Sequence, residues 1–302
     1  MLTKLLRHAA PLALLLSAPN ALAQDAAQAP AAKDADPALW VVKDKDTTIY
    51  LFGTVHILKP GLSWFDEAVK KAFDASGELV TEIGGTPDPA AVQQTILKLG
   101  FNPTGPTLTE RLPEEKRAEF VKAVADLGLP PASFDRVDPW VASIQIIGLS
   151  AIRLGYNPQS GVEAALNNAA KAANKPVSGL ETVDEQFGFF DSLSDGDQIK
   201  LLVETIDKLA ETGPTLDAMI AEWGAGDAER LAARMNEGFK ASPDLAKKLL
   251  ADRNARWAEW IDERLDKPGV VFVAVGAGHL AGPESVQAYL KTRKIKTKRM
   301  KY

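Results

Sequence analysis

The chain contains no cysteine. Disulfides, thiolate metal sites and cysteine nucleophiles are thereby excluded, and the fold must stand on its apolar core. Histidine is nearly as scarce, with His8, His56 and His279 as the three in 302 residues. Basic residues are not in excess: 35 Lys and Arg stand against 40 Asp and Glu, a balance that argues against a nucleic-acid partner. Long apolar runs are also missing. The nearest approach, Ala9 to Leu16, is broken by Pro11 and falls far short of the roughly 20 residues that span a bilayer.

That short run has a different reading. Lys4 and Arg7 precede it, and Ala21-Leu22-Ala23 follows with small residues where a signal peptidase requires them. Residues 1–23 are therefore expected to be a cleaved secretory signal, placing the mature chain in the periplasm or outside the cell. Without Lys4 and Arg7 the charge is near −7, from 33 basic and 40 acidic residues. Residues 24–38, rich in Ala, Asp, Gln and Pro, read as a flexible leader, and the folded part as 39–302.

Short apolar segments ending in turn residues predict buried strands at 48–52, 78–83, 176–180 and 270–275, with a weaker strand at 40–43 that could pair with 48–52. Helical spacing covers 64–74, opened by Ser63 as N-cap, a segment beginning at Pro113, then 140–154, 161–173, 197–211, 227–240 and 243–265. Strands gather near both ends and helices fill the middle. The expected fold class is α/β: a central sheet built from N- and C-terminal strands, with a large helical insertion. The basic tail, Lys291 to Lys301, alternates like an edge strand shielded by lysine, with contact to anionic lipid as a further reading. Trp140, Trp223, Trp257 and Trp260 sit among apolar helical neighbours and read as core or interface.

Both histidines of the mature chain lie just after an apolar strand, in Gly53-Thr54-Val55-His56 and Gly276-Ala277-Gly278-His279. Two other strands end on carboxylates, Glu82 and Glu181. Open α/β sheets bind ligands at the carboxyl ends of their strands, so parallel neighbours would bring these four groups to one rim. Two chemistries suit the set. Two imidazoles and a carboxylate could hold Zn, Mn or Co with a position open for water, the fourth group acting as base. Alternatively, a histidine held by a carboxylate could activate water with no metal.

The phrases 50–56, Gly179-Leu180-Glu181-Thr182 followed by Glu185-Gln186, Arg253-Asn254, and 275–283 resemble the TraB/GumN family, over about 39 to 302. That family includes the Tiki proteins, described as metal-dependent proteases, and belongs to a wider group with erythromycin esterases and ChaN-like haem-binding proteins. The resemblance implies His56, Glu82, Arg253 and His279 as the polar core, with Glu181 in a recurrent phrase. The expectation is a secreted, metal-dependent hydrolase of a peptide or small-molecule amide or ester bond. His56, Glu82 and His279 would be the metal ligands, Glu181 a base or a support for the ligands, and Arg253 the substrate or oxyanion contact. The alternative is a haem- or metal-binding envelope protein without turnover, and a third reading keeps the fold as an assembly protein only.

Overall fold

The computed structural model describes residues 32–237 and 243–302. The expected signal peptide and most of the leader lie outside the described residues. The described residues form eight strands: β1 Lys33–Asp34, β2 Leu39–Lys43, β3 Thr47–Thr54, β4 Leu62–Ser63, β5 Glu78–Ile83, β6 Val177–Glu181, β7 Gly269–Gly276 and β8 Thr297–Arg299. Six of them form one sheet in the order β6-β5-β7-β3-β2-β8. Neighbours along β6, β5, β7 and β3 are parallel, while β2 is antiparallel to both β3 and β8. The expected α/β class is what the chain adopts.

The central strands read as continuous apolar runs because both of their faces are covered. Along β7, Phe272 and Ala274 pack on one face with Phe52, Leu79, Val162, Leu166 and Phe73. Val271, Val273 and Val275 pack on the other with Ile49, Leu51, Val80, Trp257 and Ile261. Full burial of one such side chain contributes roughly 1.5–3 kcal/mol. Helices Glu67–Ala75 and Val162–Ala172 cover the first face, and helix Asp252–Leu265 the second. A separate core around Leu108, Phe120, Phe134, Ile146 and Leu202 holds the helical middle together. Among the described residues, no helix is long and apolar enough to cross a membrane.

Three local expectations are corrected. The folded part begins before Leu39: β1 pairs with β4, Ala35 is buried, and the Asp36 N–H donates to the Gly224 carbonyl at 2.8 Å. Residues 33–38 are therefore packed against the fold, with Ala35 and Ala38 buried. The helix after Ser63 starts at Glu67 with Asp66 at its N-cap, and Ser63 donates its hydroxyl to Asp66. The segment 243–265 is not one α-helix. It passes from Pro243–Ala246 through a π turn, Lys247–Ala251, into Asp252–Leu265. Such turns recur at functional sites, and this one frees the Leu249 carbonyl to accept from Arg253 at 3.1 Å.

Candidate active site

Because β6, β5, β7 and β3 are parallel neighbours, Glu181, Glu82, His279 and His56 leave the sheet at one rim, in that order. Each helical layer adds one more group. Arg253 comes from helix Asp252–Leu265 on one face, and Glu163 from the first turn of Val162–Ala172 on the other.

Arg253 is 6% exposed and uses all five of its N–H donors within the protein. Nε donates to both Glu181 oxygens at 2.9 and 3.1 Å. Nη2 donates to Glu82 Oε2 and Glu181 Oε2, each at 2.8 Å. Nη1 donates to the Leu249 carbonyl and to His279 Nε2, at 3.1 and 3.2 Å. The guanidinium also stacks over Trp257, 4.7 Å from the ring centroid. Burial alone would depress its pKa, but the two carboxylates outweigh that and raise it. The expected role as substrate or oxyanion contact is therefore not what this geometry serves, since no N–H is left to offer. Arg253 fastens three strand ends together.

Glu181 is equally committed. Its side chain is 2% exposed, and Arg256 reaches its Oε1 at 3.4 Å from the outside. It has no free path to a substrate and supports the site. Glu82 takes the Gly276 N–H on Oε1 at 2.6 Å, and Arg253 with Gln186 Nε2 on Oε2, both at 2.8 Å. Burial pushes its carboxyl up, yet His279, Arg253, His56 and the Gly276 N–H together bring it to about 2, so it is ionised. A Cβ at Gly276 would lie 3.0 Å from the same Glu82 oxygen, a tight contact that glycine avoids.

His279 sits in the short turn Ala277–Leu280 and is buried, its ring 4.4 Å from that of Trp257. Its tautomer follows from its neighbours. Asn254 donates Nδ2 to the Glu284 carbonyl at 2.6 Å, which turns Oδ1 toward the ring. His279 Nδ1 must then carry the proton and donate at 2.6 Å, leaving Nε2 to accept from Arg253. Burial lowers its pKa to about 3, so the ring is neutral.

His56 differs in every respect. Its side chain is 71% exposed, and Nδ1 meets Glu163 Oε1 at 2.8 Å. Thr54 donates its hydroxyl to the same oxygen at 2.5 Å. Nε2 has no partner among the described residues. The Glu163 charge, then its hydrogen bond, raises the His56 pKa to about 9; water at the open ring screens part of that attraction. Glu163 stays ionised because His56 and Thr54 outweigh the cost of its burial. Gly161 makes the approach of the two elements possible. A Cβ there would fall 2.1 Å from the His56 carbonyl oxygen, and the next N–H, of Val162, donates to the Val55 carbonyl at 3.0 Å. His56, Glu82, Glu163, Asn167 and Gln186 line a cavity of about 470 Å³.

The three groups expected to hold a metal do not fit one in this arrangement. The His279 Nε2 lone pair faces a guanidinium, and both Glu82 oxygens already accept N–H donors. Among the described residues, no three His, Asp or Glu side chains converge as a ligand set. Sequence reasoning passed over Glu163, Thr54 and Asn254 as partners. Thr54 and Asn254 stood inside phrases already singled out, and Glu163 follows Ser160-Gly161 as an acidic first-turn residue.

The chain is similar to an uncharacterized protein of Treponema pallidum (strain Nichols), at 24% identity over 85% of this chain and 80% of that one. It is similar to the uncharacterized protein YbaP of Escherichia coli (strain K12), also at 24% identity, over 84% of this chain and 92% of YbaP. No solved structure matches it. The profile of the TraB/PrgY/gumN family matches residues 38–299, nearly all of the described fold, and the chain belongs to that family.

Proposed function

We propose that the chain is a hydrolase of amide or ester bonds that works through a histidine–carboxylate pair, His56 with Glu163, and without a metal held by His56, Glu82 and His279. The observation that supports this reading is the open imidazole. His56 is the one ring of the rim that solvent reaches, its Nδ1 is fixed on a carboxylate, and it shares a cavity with ionised Glu82.

In this reading Glu163 holds the Nδ1–H tautomer and stabilises the imidazolium, as a carboxylate does for a catalytic histidine. Neutral His56 takes a proton from water at Nε2 as the water attacks the carbonyl, then returns it to the leaving nitrogen or oxygen. Glu82, Glu181, Arg253 and His279 set the shape and charge of the floor. With the Arg253 N–H groups spent and Glu82 ionised at the wall, the cavity suits a neutral or cationic substrate better than an anionic one. The signal-peptide reading adds that the substrate is met outside the cytoplasm.

The test is hydrolysis of a panel of peptide and ester substrates by the purified chain and by His56→Ala, each with and without a chelator. Turnover that resists the chelator and disappears in His56→Ala supports the proposal. Turnover abolished by the chelator and restored by Zn, Mn or Co would replace it with the metal-dependent reading. Haem absorbance without turnover would favour the binding protein.

A further inference from the structure

Some lysines of this chain pair with carboxylates and others do not. Lys59, Lys70, Lys98, Lys116, Lys122, Lys200 and Lys247 each sit on a carboxylate, at 2.5 to 3.1 Å. Lys43, Lys291, Lys294, Lys296, Lys298 and Lys301 are six of the described lysines that have no ion pair. The six are close in the fold. Lys298 lies in β8, directly opposite Val41 of β2, while Lys291 and Lys294 lead into that strand from helix Val286–Thr292. Lys43, Lys296, Lys298 and Lys301 line one open groove of about 660 Å³ with Val41 and Met300.

Like charges gathered on neighbouring strands repel, so this arrangement costs stability in the free protein. Shielding of an edge strand explains lysines on β8. It does not explain Lys43, which joins the groove from the inner strand β2. Nor does composition explain the patch, because the chain as a whole carries −5. The nearby arginines are occupied: Arg293 pairs with Asp262 and Glu259, and Arg299 donates to the Gly226 carbonyl and stacks on Trp40. What remains is a set of exposed ammonium groups on flexible stems beside apolar Val41 and Met300. Such point charges suit a diffuse layer of phosphates more than the bidentate recognition of one phosphate. The surrounding negative charge opposes an extended nucleic acid, which would reach beyond the patch.

We propose that the β8 edge docks the protein on an anionic phospholipid bilayer. The groove lies along the sheet edge, and β8 is separated from β3 by β2 alone. Docking by this edge would hold His56, just past the end of β3, about 10 Å from the bilayer surface, given a strand spacing of about 4.8 Å.

The experiment is co-sedimentation of the purified chain with vesicles of phosphatidylcholine alone and of phosphatidylcholine mixed with phosphatidylglycerol, across a salt series. Binding is expected to the mixed vesicles only, weakening steeply as salt rises. The triple variant Lys296→Glu, Lys298→Glu, Lys301→Glu should bind at least ~100-fold more weakly, each lysine near an anionic surface being worth about fivefold. A second triple variant with Gln at the same positions keeps a polar edge and should also lose binding at an unchanged melting temperature, separating loss of charge from loss of fold. Equal binding to neutral vesicles, no binding to mixed ones, undiminished binding of the Gln variant, or displacement from vesicles by duplex DNA would each overturn the proposal.

Discussion

Replacing Glu163 by Gln is the sharpest probe of the His56 pair. The amide keeps nearly the shape of the carboxylate, and its oxygen can still accept from Thr54 and from His56 Nδ1, now 2.5 and 2.8 Å from Glu163 Oε1. Only the charge is lost. That charge is the largest cause of the His56 pKa rising from 6.5 toward 9, ahead of the hydrogen bond and of distant Glu82. If neutral His56 is the base, activity rises with pH as the ring loses its proton. In the wild type this limb should lie above 6.5 and no higher than about 9, with solvent at the exposed ring holding it below the upper bound. In Glu163→Gln it should move down toward 6.5. The plateau rate should also fall, by about 10²- to 10⁴-fold, because the largest stabilisation of the imidazolium is then lost. With three histidines in the chain, the His56 Cε1 proton can be followed directly by NMR titration. Linkage gives an independent reading. A raised folded-state pKa contributes stability fully present below 6.5 and lost as pH rises through 9, so this alkaline loss should vanish in the variant. An unchanged His56 titration together with an unchanged rate in Glu163→Gln would refute the reasoning.

The other predictions concern the groups beneath. Arg253→Met leaves Glu82 and Glu181 buried without their common partner, and denaturant unfolding should show a loss of about 3–5 kcal/mol. Arg253→Lys should recover little of this, since one ammonium cannot span both carboxylates and His279. His279 binds no proton in the folded state until about pH 3, while the unfolded chain takes one up below 6.5. Stability should therefore fall by roughly 1.4 kcal/mol per pH unit from 6.5 toward the carboxylate range, and His279→Gln should flatten that slope. Gly161→Ala forces a methyl onto the His56 carbonyl; a loss of about 1–3 kcal/mol is expected, with a larger proportional loss of activity because His56 and Glu163 are pushed apart.

Much of this site could be read along the chain. Four apolar segments ending in Gly or a carboxylate announced four parallel strand ends, and the order Glu181, Glu82, His279, His56 across the rim follows from that pattern once β7 is placed between β5 and β3. The alternating basic tail likewise announced the β8 edge. The roles were less legible. Arg253 contacts groups 72 and 171 residues away, so no local spacing signals that its donors are all consumed. Glu163 looks like any acid in a first helical turn, and only the contact of Gly161 with the His56 backbone reveals which acid the histidine meets. Two histidines in equivalent sequence contexts suggested equivalent ligands. Burial separates them: one is 71% open at its side chain and the other 7%.

The most direct test of the account is therefore a comparison of the two rings. On one hydrolysable substrate, His56→Ala, Glu163→Ala and the double variant should be inactive to the same degree, since members of a working pair do not add. His279→Gln should keep measurable turnover and lose mainly stability, and a chelator should leave the wild type untouched. Equal inactivity of His56→Ala and His279→Gln, with bound metal lost from both, would contradict the account and return the site to a metal.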